Sequence, residues 1–165
     1  MATLLQWTWL RFDDLGVRNL YDLLALRCAV FVLEQGPYQD PDGKDRDCWH
    51  LLGRDSTGML QAYLPLADPS VNCTQPSIGR VVTSRQWRGH GAGKALVAEG
   101  VQRTMALWPG HGIRISAGVL VQVLCGVLLL RSGRAVPRRQ YPSPGNADRS
   151  AATCQIRRSQ SWMNH

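Results

Sequence analysis

Residues 78–97 read IGRVVTSRQWRGHGAGKALV. Ile78 to Val82 is apolar and rich in β-branched side chains, the signature of a strand. From Lys94 onward Val97, Val101, Met105 and Trp108 fall on one helical stripe, and Pro109-Gly110 stops it. Glycines at 89, 91 and 93 join the two. A loop that enters a helix exposes backbone N–H groups with no intrahelical partner, at the positive end of the helix dipole. Glycines let a ligand approach without meeting Cβ atoms. The stretch therefore predicts an anion site, most naturally for phosphate, with Arg88 and Lys94 adding charge.

The spacing narrows the choice. A nucleoside triphosphatase loop needs GxxxxGK followed by serine or threonine, and here Arg88 stands five before Gly93 while Ala95 replaces the magnesium-binding hydroxyl. A dinucleotide fingerprint fails because Lys94 occupies the third position after Gly91. What remains is R-x-x-G-x-G over Arg88, Gly91 and Gly93.

The rest of the first 117 residues places this loop in an α/β domain. Leu15 to Val32 predicts a helix with Val17, Leu20, Leu24, Cys28 and Phe31 on one face, started by Asp13 or Asp14. The polar loop EQGPYQDPDGKDRD follows, with a turn at Pro41-Asp42-Gly43. It is no EF-hand, because Lys44 and Asp45 stand where an oxygen ligand and a glycine are required. Trp49 to Gly53 and Leu60 to Leu66 predict a hairpin, and Ile113 to Ala117 a further strand. Strand 78–82, the glycine loop, the helix and strand 113–117 then form a βαβ crossover. The five cysteines show no CxxC spacing, so neither a disulfide framework nor a zinc site is expected, and no metal. The first residues lack the features of a signal peptide, and a reducing, cytoplasmic compartment is expected.

Three blocks carry a resemblance. LRCAVFVLEQGPYQDPDGKD (Leu26 to Asp45), WHLLG (Trp49 to Gly53) and the glycine-loop block (Ile78 to Val97) together resemble the ElaA family of GCN5-related N-acetyltransferases, over roughly residues 5–117. The resemblance implies a mixed α/β fold, a central mixed sheet flanked by helices, in which the fourth and fifth strands splay to admit the pantetheine arm of acetyl-CoA. It implies that Val81, Val82 and Thr83 pair with that arm. It also implies that Arg88, Gly89, His90, Gly91, Ala92, Gly93 and Lys94 wrap the pyrophosphate. The reaction would be attack of an amine, on a small molecule or a peptide, on the acetyl thioester. A backbone N–H of the fourth strand would polarise the carbonyl. Glu34 and His50 are the candidate bases. For Arg27 an ion-pair or packing role is expected rather than contact with substrate.

The resemblance stops after Ala117. The family continues with a helix bearing a tyrosine able to protonate the departing thiolate, then closing strands. Here the chain continues GVLVQVLCGVLLLRSGRAVPRR, with no lysine after Lys94 and no glutamate after Glu99. The net charge of +7 is uneven: residues 131–165 hold seven arginines against Asp148 alone. The apolar run from Ala117 to Leu130 is short of the roughly 20 residues that span a bilayer. An Arg-rich segment that binds nucleic acid or acidic membrane is an alternative function; as an acetyltransferase the chain is expected to engage neither.

A shifted reading frame accounts for the break better. Codons permitted for Ala117 to Val127, read one base later, encode Gln-Ala-Tyr-Leu-Ser-Arg-Phe-Tyr-Ala-Glu-Phe, an amphipathic helix with aromatics where the family has them. The same shift over Gly133 to Ala147 permits a segment like the family's closing ED-x-IPH-x-x-M pattern. In such a shift only the middle base of each new codon floats, so agreement by chance is implausible. The expectation is an incomplete acetyltransferase domain over 1–117 and an out-of-frame, largely disordered, basic segment over 118–165. Its closing strands are missing or non-native, and its acetyl-CoA binding is weak.

Overall fold

The computed structural model describes residues 5–36, 39–69, 71, 74–116 and 153–156. They form a mixed seven-stranded sheet with a helix on each face. The strands are β1 (Gln6–Arg11), β2 (Cys48–Arg54), β3 (Leu60–Ala67), β4 (Ser77–Gly79), β5 (Val82–Thr83), β6 (Ile113–Ser116) and β7 (Thr153–Ile156). The helices are α1 (Gly16–Arg27) and α2 (Ala92–Leu107). In space the strands run β1-β2-β3-β4-β6-β7, and β5 pairs with β3. Only β4 and β6 are parallel, joined by α2 in the expected crossover.

Alternation assigns the two faces. Leu51, Ala62, Leu64, Leu66, Ile78, Ile113 and Ile115 pack under Leu96, Val97 and Val101 of α2. Leu52, Tyr63 and Val82 pack on the other face with Leu15, Leu23 and Val30. The described residues include no helix long and apolar enough to cross a membrane.

Several expectations are corrected in detail. β1 was not foreseen, although Trp7 and Trp9 alternate onto the α2 side of the sheet. Helix α1 is capped by no aspartate; Phe12–Asp14 is a separate 3-10 turn, and Asn19 Nδ2 donates to Leu15 O at 2.7 Å. Its fully buried positions are Leu23 and Arg27, followed by Val30 in a π-helical turn over Cys28–Val32, whereas Val17 and Cys28 face solvent. The expected stripe holds at Leu20, Leu24 and Phe31, which pack on the core beneath α1, but its centre is shifted because a buried arginine is invisible to a hydrophobic pattern. Helix α2 starts at Ala92, ahead of Lys94, and buries Leu96, Val97, Gly100, Val101 and Thr104 while Met105 is exposed.

Of the stretch 118–165, only Thr153–Ile156 is described, and there the chain is a strand. It pairs antiparallel with β6, whose free backbone edge offers hydrogen bonds to any extended segment. The apolar run Val119 to Leu130 lies outside the described residues.

Candidate functional site

The expected third strand is broken in the middle. Ile78 stands opposite Leu66, and Val82 opposite Tyr63, so three residues, Gly79–Val81, face two on β3. This is a β-bulge. Arg80 carries it with φ of 43°, a left-handed conformation that costs an L-residue on the order of 1 kcal/mol. The bulge turns the alternation over: Val81 joins the core under α2 and Val82 the core under α1. Pro65 lies across from it, at a place where ladder bonding is already interrupted. β4 pairs with β6 only as far as Gly79 and Ser116, and β5 has no partner except β3 among the described residues. Among the described residues nothing pairs with the outer edge of Val82 and Thr83.

The glycine loop begins where that edge ends. Gly89 and Gly91 hold φ of 80° and 82°, and Gly91 caps α2. The first bond of the helix runs from Ala95 N to Gly91 O, at 3.0 Å, so the N–H groups of Ala92, Gly93 and Lys94 precede the intrahelical ladder. No side chain caps them and no acid stands in the first turn. A Cβ placed on Gly93 would lie 3.9 Å from Thr83 Cγ2, which sets the helix entrance against the open strand edge. Arg88, His90 and Lys94 are exposed around it, with His90 Nδ1 2.9 Å from Arg88 O. Val81, Val82, Thr83 and Arg88 to Lys94 thus lie along one strand edge and the helix entrance it leads to, with the side chains of Val81, Val82 and Ala92 buried beneath. The entrance offers backbone amide donors ahead of the helix ladder, with Lys94 beside them and Arg88 paired to Glu34.

The two candidate bases lie apart. Glu34, just beyond the π turn, accepts a hydrogen bond from Arg88 Nη1 at 2.7 Å. That bond holds its carboxyl pKa below the ordinary value. His50 is fully buried in β2. Its Nε2–H donates to the carbonyl of Asp45 at 3.0 Å, which leaves Nδ1 to accept from the Tyr63 hydroxyl at 2.9 Å. Burial lowers its pKa, so the ring is neutral near pH 7. Both nitrogens are already bonded within the protein.

Sequence reasoning missed the charge cluster beside them. Arg27 is entirely buried, donating from Nε and Nη2 to the carboxylate of Asp40 at 2.7 and 3.0 Å and from Nη1 to Asp45 at 2.9 Å. The ion-pair role expected for it is what it performs. Arg80 joins from the bulge, with Nη2 2.6 Å from Asp42. Burial alone would lower the Arg27 pKa, but the two carboxylates reverse that and raise it. The DPDGKD string and the strand arginine are the signal that could have revealed the cluster: a run of acids has to be neutralised by something.

Comparisons with known proteins follow the same lines. No protein-family model matches the chain. It is 43% identical over 114 residues to a UPF0039 protein of Synechocystis sp., covering 68% of this chain and 74% of that one. It is 35% identical over 122 residues to protein ElaA of Escherichia coli, covering 72% and 79%. Among solved structures it is similar to Escherichia coli ElaA, with a TM-score of 0.72 at 30% identity over 94% of this chain and 100% of that one. It is also similar to an acyl-CoA N-acyltransferase from Pseudomonas aeruginosa, with a TM-score of 0.68 at 39% identity, over 83% and 92%.

Proposed function

Because the chain belongs to the ElaA (UPF0039) family and has the fold of the GCN5-related acyl-CoA N-acyltransferases, we propose that it transfers an acetyl group from acetyl-CoA to the amine of a small molecule or peptide. The observation that carries this reading is the continuity of the open β5 edge with the uncapped entrance of α2. The diphosphate takes the amides of Ala92, Gly93 and Lys94, with Arg88 and Lys94 as counter-charges. Pantetheine pairs along Val81, Val82 and Thr83. The thioester carbonyl then meets the bulge at Gly79–Val81, where a strand N–H freed from the β3 ladder can stabilise the developing oxyanion. The amine attacks that carbonyl carbon, the tetrahedral intermediate expels the CoA thiolate, and the ammonium proton leaves. Glu34 is the accessible candidate for that proton; as an ion-paired carboxylate it is a weak base, suited to an amine whose own pKa the site depresses. His50 serves the proposal as the support of Tyr63 and of the Asp45 loop.

Gly91→Asp tests the reading. An aspartate there sets a negative charge at the amides the diphosphate needs, and because Gly91 holds φ of 82° it also strains the helix entrance, so thermal melting of the variant is measured first. By calorimetric titration, acetyl-CoA affinity should fall about tenfold or more. Unchanged affinity in a folded variant removes the basis of the proposal.

We further propose that residues 118–165 are an out-of-frame continuation of this domain, so that acetyl-CoA binding by the chain is weak and its turnover poor. The nucleotide sequence decides this: a stop codon or unrelated residues in the frame one base later would end the idea.

A further inference from the structure

One row of residues crosses four strands at a single level. Cys48 pairs with Ala67, Ala67 with Ser77, and Ser77 with Arg114. All four point to the α1 side of the sheet, since the row beside them, Leu66, Ile78 and Ile115, lies under α2. Ala67 and Ser77 are small, and with Gly79 and Pro65 nearby they leave a hollow that larger side chains would fill. The hollow is a cavity of about 260 Å³ with Arg80 and Lys44 on its walls and Arg114 at its end.

Its charge is uneven. Arg80 is met by Asp42, with Asp40 and Asp45 also within 4 Å, and Lys44 lies 3.9 Å from Asp42. Arg114 is half-buried and has no acidic partner among the described residues. The Cys48 thiol adds no negative charge, because burial pushes its pKa up to about 12. Among the described residues the cavity therefore presents one guanidinium without an acidic partner, a geometry suited to a carboxylate. A volume below the roughly 300–1,000 Å³ of drug-sized pockets calls for a small occupant.

Position supplies the rest. Arg114 pairs with Ser77, two residues before Gly79, where the bulge begins. Two residues of strand span about 6.6 Å. An arginine–carboxylate hydrogen bond of about 2.8 Å and the short link from carboxylate to amine fit within that distance. We infer that this cavity is the acceptor subsite and that the acceptor is a small amine carrying a carboxylate, an amino acid or a close relative, held through Arg114. The acceptor role rests on the acetyltransferase reading above; the carboxylate preference of the cavity does not, and the two are tested separately.

The full-length protein is titrated, by ligand-observed NMR, with alanine against ethylamine and alaninamide, and with phenylalanine against phenethylamine. The carboxylate-bearing member of each set should bind at least about tenfold more tightly. Arg114→Gln should abolish that difference and Arg114→Lys should keep part of it, with the thermal midpoint and acetyl-CoA affinity unchanged. Equal binding within each set, or a difference that survives Arg114→Gln, overturns the inference even where acetyl-CoA binds, and the acetyltransferase reading stands. Retained carboxylate preference with no acetyl-CoA binding, even in a version rebuilt in the shifted frame after Ala117, overturns that reading and leaves the carboxylate subsite. Should Arg114→Gln not fold, the paired ligands on the unaltered protein decide alone.

Discussion

A fully buried imidazole held by a tyrosine hydroxyl and a carbonyl can have only one useful charge. His50 accepts from Tyr63 through Nδ1, and a proton placed there would force the Tyr63 hydroxyl to turn and accept, leaving its own proton without a partner among the described residues. Its folded pKa lies below 6.5 because burial disfavours the imidazolium. The unfolded chain therefore binds more protons, and stability is whole above about 6.5 and declines as pH falls below it. The thermal midpoint should drop between pH 7.5 and pH 5.5, and His50→Gln should flatten that slope. The Asp42 carboxyl acts in a lower window: burial raises its pKa, but the hydrogen bond from Arg80 outweighs this and the net shift is downward from 3.8. Its contribution is lost only as pH falls below that value. Residue identities alone put His50 in a strand and left its direction open. Alternation with Leu51, on the opposite face, is what turns it inward.

Elements were read best where one side of them is apolar. The β2–β3 hairpin, helix α2 and strand β6 follow from alternation and from Pro109-Gly110, within a residue or two of the observed bounds, whereas the expected strand 78–82 is split into β4 and β5. The bulge was not legible, since a string such as IGRVV carries no mark of an extra residue until the pairing partner is known. The first strand was missed although its tryptophans hold the sheet together. The Trp7 ring lies directly on Gly53, where a Cβ would collide with it, and Trp9 stacks on Trp49 with centroids 5.5 Å apart. Gly53→Ala should therefore destabilise the protein by about 1–3 kcal/mol, through overpacking against a rigid ring. Urea unfolding measures it, and a neutral or stabilising result would mean that Trp7 moves freely.

At the scale of the molecule, the resemblance found in three short blocks anticipated the fold, because a strand, a glycine loop and a helix dictate a parallel crossover. It could not reveal the cavity proposed for the acceptor. That cavity depends on register across four strands, with contributors from Cys48 to Arg114 that no local window contains. The proposed frame change belongs at this scale too. A sheet that ends on its family's own closing strands should bury more of the apolar surface beside β6 than the present continuation does. A version rebuilt in the shifted frame after Ala117 should unfold at a higher temperature and bind acetyl-CoA more tightly than the chain as it stands. If both versions melt together and bind alike, the present continuation already does the work of the family's own.

The bulge at Gly79–Val81 has two approaches: α2 and its glycine entrance lie on one side of the sheet, and the Arg114 hollow on the other. A donor and an acceptor that arrive through separate doors have no need to take turns. Both can be present when the bond is exchanged, and the acyl group need never be parked on the protein between them.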